Sequence, residues 1–406
     1  MHKHWIWLTR RKGIGTRGCA ALLRLFGTAE RIYALTERDC RATEGFETRW
    51  LEGVLDKSLD EAEEILRDCD ELGISIVTYA DEAYPDRLRN IDDPPAVLYY
   101  RGTFPDFDRE AAIGVVGTRR CSAYGLLHAK QFSRLIAASG GIVVSGGARG
   151  IDTMALRGAL DSAMPVVCVL GCGVDVVYPP ENRYLFRDVA QHGCILSEYP
   201  PKTRPDRGNF PVRNRIISGL SLGVLVIEAP EKSGALITAN HALEQGRDVF
   251  AIPGNIGVKN CEGTNRLLRE GATMVTDGWE VLSGYRYLFP DKLTDGRSKE
   301  ALEYIYRARF GKALPVYSRI VFQEGNDKKS VDIPAPRDYS DEKENDRAEL
   351  SADENVVFKL LQSEPIYADE LIAQSGLPAQ RVLAALTMLQ IKALAEKLSG
   401  NYYRRK

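Results

Sequence analysis

The chain has little charge of either sign to spare. Across 406 residues, 54 Lys and Arg stand against 56 Asp and Glu, a formal net charge of −2. So small an excess gives no overall pull toward a polyanion. Any contact with nucleic acid has to come from cations gathered locally. No uncharged run approaches the ~20 residues that span a bilayer. The first residues, MHKHWIWLTRRKGIG, lack the apolar core of a signal peptide. A cytoplasmic location without membrane contact is therefore expected. The eight cysteines, at positions 19, 40, 69, 121, 168, 172, 194 and 261, include no C-x-x-C pair. That spacing offers no structural zinc site. Free thiols in a reducing compartment are expected, with no metal and no cofactor.

What is present is an ordinary globular composition, 44% hydrophobic and 27% charged. At ~150 residues per domain the length predicts two or three domains. Residues 1–100 read as a small helical domain of SAM or helix-hairpin-helix type. Ala21, Leu22, Leu25 and Phe26 recur at helical spacing, and so do the apolar positions of Asp60–Leu72. Lys12-Gly13-Ile14-Gly15 fits either a plain helix–helix turn or a glycine hairpin that offers N–H groups to a phosphate. Residues 101–290 change character. Ile113–Val116, Ile142–Val144, Val166–Leu170, Ile195–Leu196, Val224–Ile227 and Val249–Ile252 are short runs rich in Val and Ile. Segments long enough for crossover helices separate them. This is the pattern of an α/β, Rossmann-like, doubly wound parallel sheet. Residues 291–350 read as a linker, helical in part at Lys299–Arg309, with Pro334, Pro336 and the charge-mixed DYSDEKENDRAE. Residues 351–406 give three short helical patterns and a hairpin, a winged-helix domain.

The central motifs fall at predicted strand ends, where ligands of open α/β sheets bind. Gly117-Thr118-Arg119-Arg120 follows the first strand. Its glycine lets backbone approach a ligand, and its arginines suit forked contacts with phosphate. Ser145-Gly146-Gly147-Ala148-Arg149-Gly150-Ile151-Asp152 runs from strand through glycine-rich loop to helix, an arrangement that cradles anions. No Gly-Lys-Ser/Thr follows it, and its spacing is not G-x-G-x-x-G, so neither mononucleotide nor dinucleotide signatures apply. Asp152 is placed to cap the following helix. Gly171-Cys172-Gly173 reads as a turn that either lines the same crevice or packs tightly. Between Lys202 and Arg215 five cations stand against one acid, with Phe210 among them. Cations along a backbone plus an aromatic face for a base are the parts of a single-strand groove. Ser233 opens another helix and offers its hydroxyl to the helix or to a phosphate.

In this order, GVVGTRR, SGGARGID, LGCGVDVVYPPEN, FPVRNRIISGLS, KSGALITANHALEQGRDVFAIPGN and GTNRLLREGA resemble the DprA/Smf (DNA-processing) family. Tyr84-Pro85 and the segment Asp93–Tyr99 resemble its lead-in. Leu156 departs from the pattern, which often has His there. The resemblance implies a protein that binds incoming single-stranded DNA during natural transformation, shields it, helps load the RecA recombinase and acts as a homodimer. It implies no catalytic residues and a DNA-binding pocket of Arg119, Gly147, Arg149, Phe210, Arg213 and Arg215, with Lys202 and Ser233; the strand-end loops themselves add Gly117, Thr118, Gly146 and Asn214 to the expected DNA-binding set.

Two other classes stay open at this point. One is an enzyme that hydrolyses nucleotides. Rossmann-like phosphoribohydrolases resemble PGGxGTxxE, but Gly150-Ile151-Asp152-Thr153-Met154-Ala155 has no Glu. Glu198 and Glu228 end strands without a recognised partner acid or base. The other is a nucleotide-sensing module. The third winged-helix helix, Pro378–Gln390, carries one cation, Arg381. A protein contact fits it as well as a DNA groove does.

Overall fold

The computed structural model describes residues 2–313, 350–362, 364–392, 394–397 and 402–405. The chain divides into two compact units, Met1–Gln323 and Glu324–Lys406. The expected linker features at Pro334, Pro336 and DYSDEKENDRAE lie outside the described residues.

The large unit is built on nine strands: β1 (Ser75–Thr78), β2 (Val97–Gly102), β3 (Ala112–Val116), β4 (Ile142–Ser145), β5 (Val166–Leu170), β6 (Cys194–Ser197), β7 (Gly223–Val226), β8 (Asp248–Ala251) and β9 (Thr273–Met274). Their order is β1-β2-β6-β5-β4-β3-β7-β8-β9. From β6 to β9 every pairing is parallel. The six strands read from Val and Ile runs are all present. Every residue of β3, β4, β5, β6 and β7 is buried, because crossover helices cover both faces. Each such Val or Ile contributes about 1.5–3 kcal/mol through burial. Successive strands run outward from β3 in both directions, β4-β5-β6 one way and β7-β8-β9 the other. The winding therefore reverses between β3 and β7, and a crevice opens beyond their carboxyl ends.

The first hundred residues are not helical throughout. β1 and β2 lie there, and they extend the sheet in antiparallel fashion beyond β6. Val97-Leu98-Tyr99-Tyr100 is a β-branched and aromatic run that favours a strand over a helix. The remaining elements are helices, among them His2–Thr9, Gly15–Phe26 and Asp60–Leu72. Their core residues Trp7, Leu22 and Trp50 join one apolar cluster with Ile113, Val143 and Val166 of the sheet. Gly13–Gly18 spells GIGTRG, the spacing of a dinucleotide loop. A helix precedes it rather than a strand, and Gly13 and Ile14 turn the chain into the helix Gly15–Phe26, whose first turn holds the remaining residues. The expected helix near 299 runs Lys299–Phe310. Ser298 caps it, and it ends at the left-handed Gly311.

The small unit has helices Ala352–Leu360, Ala368–Ser375 and Ala379–Ile391 and the three-stranded sheet β10 (Ile366–Tyr367), β11 (Ala395–Lys397) and β12 (Tyr402–Arg405), in the order β10-β12-β11. Val357, Leu371, Val382, Leu386, Leu389 and Tyr403 fill its core. A reciprocal Ser351–Glu354 capping box starts the first helix. This is the expected winged helix.

Candidate nucleic-acid interface

A cavity of about 960 Å³ occupies the crevice between the ends of β3 and β7. The segments that follow β3, β4, β7 and β8 and the start of helix Asn209–Gly219 form its walls. The loop after β3 is held from below: Thr118 N donates to Glu228 O at 2.7 Å. The buried Glu228 carboxylate accepts from the backbone N and the hydroxyl of Ser122, the cap of helix Ala123–Ala138. Gly117 is required there, since a Cβ would fall 2.5 Å from Ile151 Cγ1. The loop after β4 needs its glycines equally. Gly147 has φ +67°, and a Cβ on Gly146 would meet Asp152 and Arg213 at under 3 Å.

Under that loop lie two buried ionisable side chains, Arg213 and Asp152. Arg213 is 3% exposed. Its guanidinium donates to Gly146 O at 2.6 Å and to Val169 O, which fastens the glycine loop to β5. Asp152 does not occupy the cap position expected of it. Gly150, with φ +76°, stands there, and Asp152 sits inside the first turn. From there its carboxylate accepts from Ala148 N at 3.3 Å. Burial pushes the Asp152 carboxyl up to about 6, against the opposing pull of Arg213 and the backbone N–H groups.

The rim is cationic. Arg119 is exposed, and its guanidinium stands over the Phe210 ring at 5.1 Å. Arg120, Arg207, Lys232 and Lys259 line the same cavity and are exposed. With Arg119 and Arg213 they make six cations against the carboxylates of Asp152, Glu231 and Glu262. The expected DNA-binding set leaves out all four, although Arg120 follows Arg119 at the mouth of the site and Arg207 is one of the five cations between Lys202 and Arg215; Lys232 and Lys259 come from loops that the fold brings in. Asn214 and Ser233 lie on the wall. The Ser233 hydroxyl accepts from Ala235 N and caps helix Gly234–Glu244. A smaller cavity of about 60 Å³ shares Arg119, Phe210 and Arg213 with the first and adds Gly146, Arg149 and Gly171. Arg149 pairs in a fork with Glu181 at its mouth.

Three residues of the expected set are not brought to either cavity. Gly147 is buried against Cys168 and Phe186, and its role is conformational. Lys202 extends to Asp68, with Nζ to Oδ1 at 2.5 Å, and so joins its loop to helix Asp60–Leu72. Arg215 is 2% exposed and pairs with Glu198 at 2.7 Å and Asp93 at 3.1 Å. Helical geometry explains the last correction. Arg213 and Arg215 are two apart on one helix, about 200° around its axis, so they cannot share a face. Arg213 also needs correction, from surface contact to buried support. Glu198 and Glu228, the strand-end acids, are bound to Arg215 and Ser122.

The sequence matches the family described as DNA recombination-mediator protein A over residues 75–286. It also matches the DprA winged helix domain over residues 341–401. The chain belongs to the DNA recombination-mediator protein A (DprA) family. Protein Smf of Synechocystis is 32% identical over 99% of this chain and 98% of its own length. DNA processing protein DprA of Bacillus subtilis is 41% identical over 52% of this chain and 71% of its own. The X-ray structure of DprA from Streptococcus pneumoniae aligns with a TM-score of 0.61 at 31% identity, covering 70% of this chain and 98% of that one. The DprA match of residues 75–286 takes in β1 and β2 along with both cavities.

Proposed function

We propose that the chain binds single-stranded DNA without chemical turnover, as a DNA-processing protein of natural transformation in the cytoplasm. In this reading it acts as a homodimer and hands the strand to the RecA recombinase. The observation that carries the proposal is the cationic cavity at the winding reversal, with Arg119 seated on Phe210 at its rim. Cations along an open crevice neutralise successive phosphates. The names of the relatives, DNA processing proteins, point the same way.

Against an enzyme stands the state of the carboxylates. Asp152 is buried with a backbone N–H on it, and Glu198 and Glu228 are consumed in structural bonds. Glycosidic hydrolysis needs an acid and a partner placed around a substrate.

The test is a side-by-side titration with oligo-dT, duplex DNA and nucleoside monophosphates. Oligo-dT is expected to bind tightest. A monophosphate binding more tightly, or being consumed, overturns the reading. Arg119→Ala is expected to lower oligo-dT affinity about tenfold or more, the worth of a charge-assisted contact. Its log–log salt slope should be shallower by about 0.7, one single-strand phosphate fewer. Unchanged affinity and slope would remove Arg119 from the interface.

The winged helix enters as a separate prediction. In it Arg381 is held by Asp353, Lys392 by Glu354 and Arg404 by Glu396. These cations are already neutralised. Removing residues 350–406 is therefore expected to leave oligo-dT affinity within about twofold, because no cavity residue is lost. A large drop in a filter-binding titration would move the interface into the small unit.

A further inference from the structure

Lys202 opens the cation-rich stretch that runs to Arg215, yet its charge is spent on another part of the molecule. Its ammonium meets Asp68 Oδ1 at 2.5 Å on helix Asp60–Leu72. That helix carries seven acids and one cation, Arg67. Glu64, Asp68 and Glu71 are four and three residues apart and so share one face. The Asp68 hydrogen bond raises the Lys202 ammonium above its ordinary value, and the charges of Asp68, Glu71 and Glu64 add to it.

The backbone of Lys202 is fixed without help from its side chain. Its N–H donates to both carboxylate oxygens of Asp175 at 3.0 Å, and Gly173 N donates to Thr203 O at 3.0 Å. These bonds hold Lys202 at a left-handed φ of +64°, uncommon for a residue with a Cβ. A Cβ on Gly173 would lie 3.0 Å from Lys202 N, so the two loops are pressed together. Gly173 belongs to the turn after β5 whose Gly171 and Cys172 line the smaller cavity. The backbone at 202 therefore stays beside the interface whichever way the side chain points. The side-chain bond is of another kind. Lys202 is 62% exposed there and Asp68 13%. An ion pair with one partner in water is worth no more than about fivefold in an equilibrium, and salt screens it. A lysine is a point charge on a flexible stem, free to exchange a carboxylate for a phosphate.

We infer that the Lys202–Asp68 ion pair is an autoinhibitory latch, by which helix Asp60–Leu72 withholds a cation that would otherwise neutralise one phosphate of the bound strand. The inference rests on the single-strand reading above and deepens it by naming how the N-terminal helices set the strength of the grip. The fixed backbone is the pivot, and the exposed ammonium is the part that moves.

The test is a set of oligo-dT titrations on the full chain, at several salt concentrations, with wild type, Asp68→Asn, Lys202→Ala and the double variant. Asp68→Asn keeps an oxygen toward Lys202 and loses the charge. It should bind oligo-dT about three- to fivefold more tightly than wild type at low salt, the strength of the pair it breaks. Its log–log salt slope should be steeper by about 0.7, one phosphate more. Adding Lys202→Ala to it should remove both gains. Lys202→Ala should therefore cost more in the Asp68→Asn background than in wild type, a coupling that the four proteins measure together. Asp68→Ser should repeat the result of Asp68→Asn and serves where asparagine disturbs the helix. Wild-type affinity and slope in both Asp68 variants overturn the inference. A gain that survives Lys202→Ala overturns it too, since that gain comes from a weaker negative field and not from a freed lysine. Wild type that binds no oligo-dT overturns the single-strand reading and the latch with it, an outcome distinct from the other two.

Discussion

Replacing Arg215 by alanine is expected to cost the large unit about 3–5 kcal/mol of stability, the penalty for stripping one partner from a buried ion pair. The Arg215 side chain is 2% exposed, and that of Glu198 is 10% exposed. Its Nη2 donates to Glu198 Oε1 at 2.7 Å and its Nη1 to Val212 O at 3.3 Å. Nε lies 3.1 Å from Asp93 Oδ2, an ion pair without the alignment of a hydrogen bond. One guanidinium thus joins helix Asn209–Gly219 to the end of β6 and to the lead-in before β2. Alanine would leave the Glu198 carboxylate dry and uncompensated. Urea unfolding should show the loss as a lower midpoint. The oligo-dT affinity of the protein that remains folded should stay near wild type, because Arg215 reaches neither cavity. Arg119→Ala should do the reverse, keeping the midpoint and losing affinity. If Arg215→Ala leaves the midpoint in place and abolishes binding, the buried-pair account is wrong.

That contrast marks where the sequence stops being legible. The motif FPVRNR shows that arginines matter near Phe210. It does not say that Arg213 points under the glycine loop and Arg215 away from it. The distinction depends on helical phase relative to the sheet, and phase is visible only once the helix has a place. For the same reason a charge reversal at Arg213 is a stability experiment, since the side chain is 3% exposed and bonded to two carbonyls. By contrast the six central strands and their loops are legible, because a run of Val or Ile followed by Gly, Ser or Thr is a local pattern with a local cause. β9 escapes that test. Thr273 and Met274 are both exposed, so burial leaves no mark on their composition.

The cations show the same division. Arg119 is legible from its place directly after a strand. Lys232 and Lys259 sit in loops more than a hundred residues away, and only the reversal of winding between β3 and β7 sets them on one rim. This also reconciles a net charge of −2 with a polyanion site. The acids are spread over the surface, while the fold gathers loop cations at one crevice, where low-dielectric walls strengthen their field.

Asp152 supplies the strongest pH signature. Its carboxyl titrates at about 6 in the folded protein, against ~3.9 in an unfolded chain. The shift is upward, so the folded state holds a proton that the unfolded state has already lost between those values. Stability from this group is complete below about pH 4 and is lost as pH rises through about 6. Two units correspond to roughly 3 kcal/mol. Burial is the cause; the Arg213 guanidinium and the N–H groups of Ala148 and Gly146 offset only part of it. Asp152→Asn keeps an oxygen for Ala148 N and carries no proton to lose. It leaves Arg213 beside a neutral group at every pH, and since arginine stays charged the variant adds no titration of its own across this range. The unfolding free energy of wild type minus that of Asp152→Asn should therefore fall by roughly 3 kcal/mol between pH 4 and pH 7. Carboxylates common to both proteins cancel in the difference. A difference that stays level across that range would mean that Asp152 is ionised throughout and that its pairing with Arg213 outweighs burial.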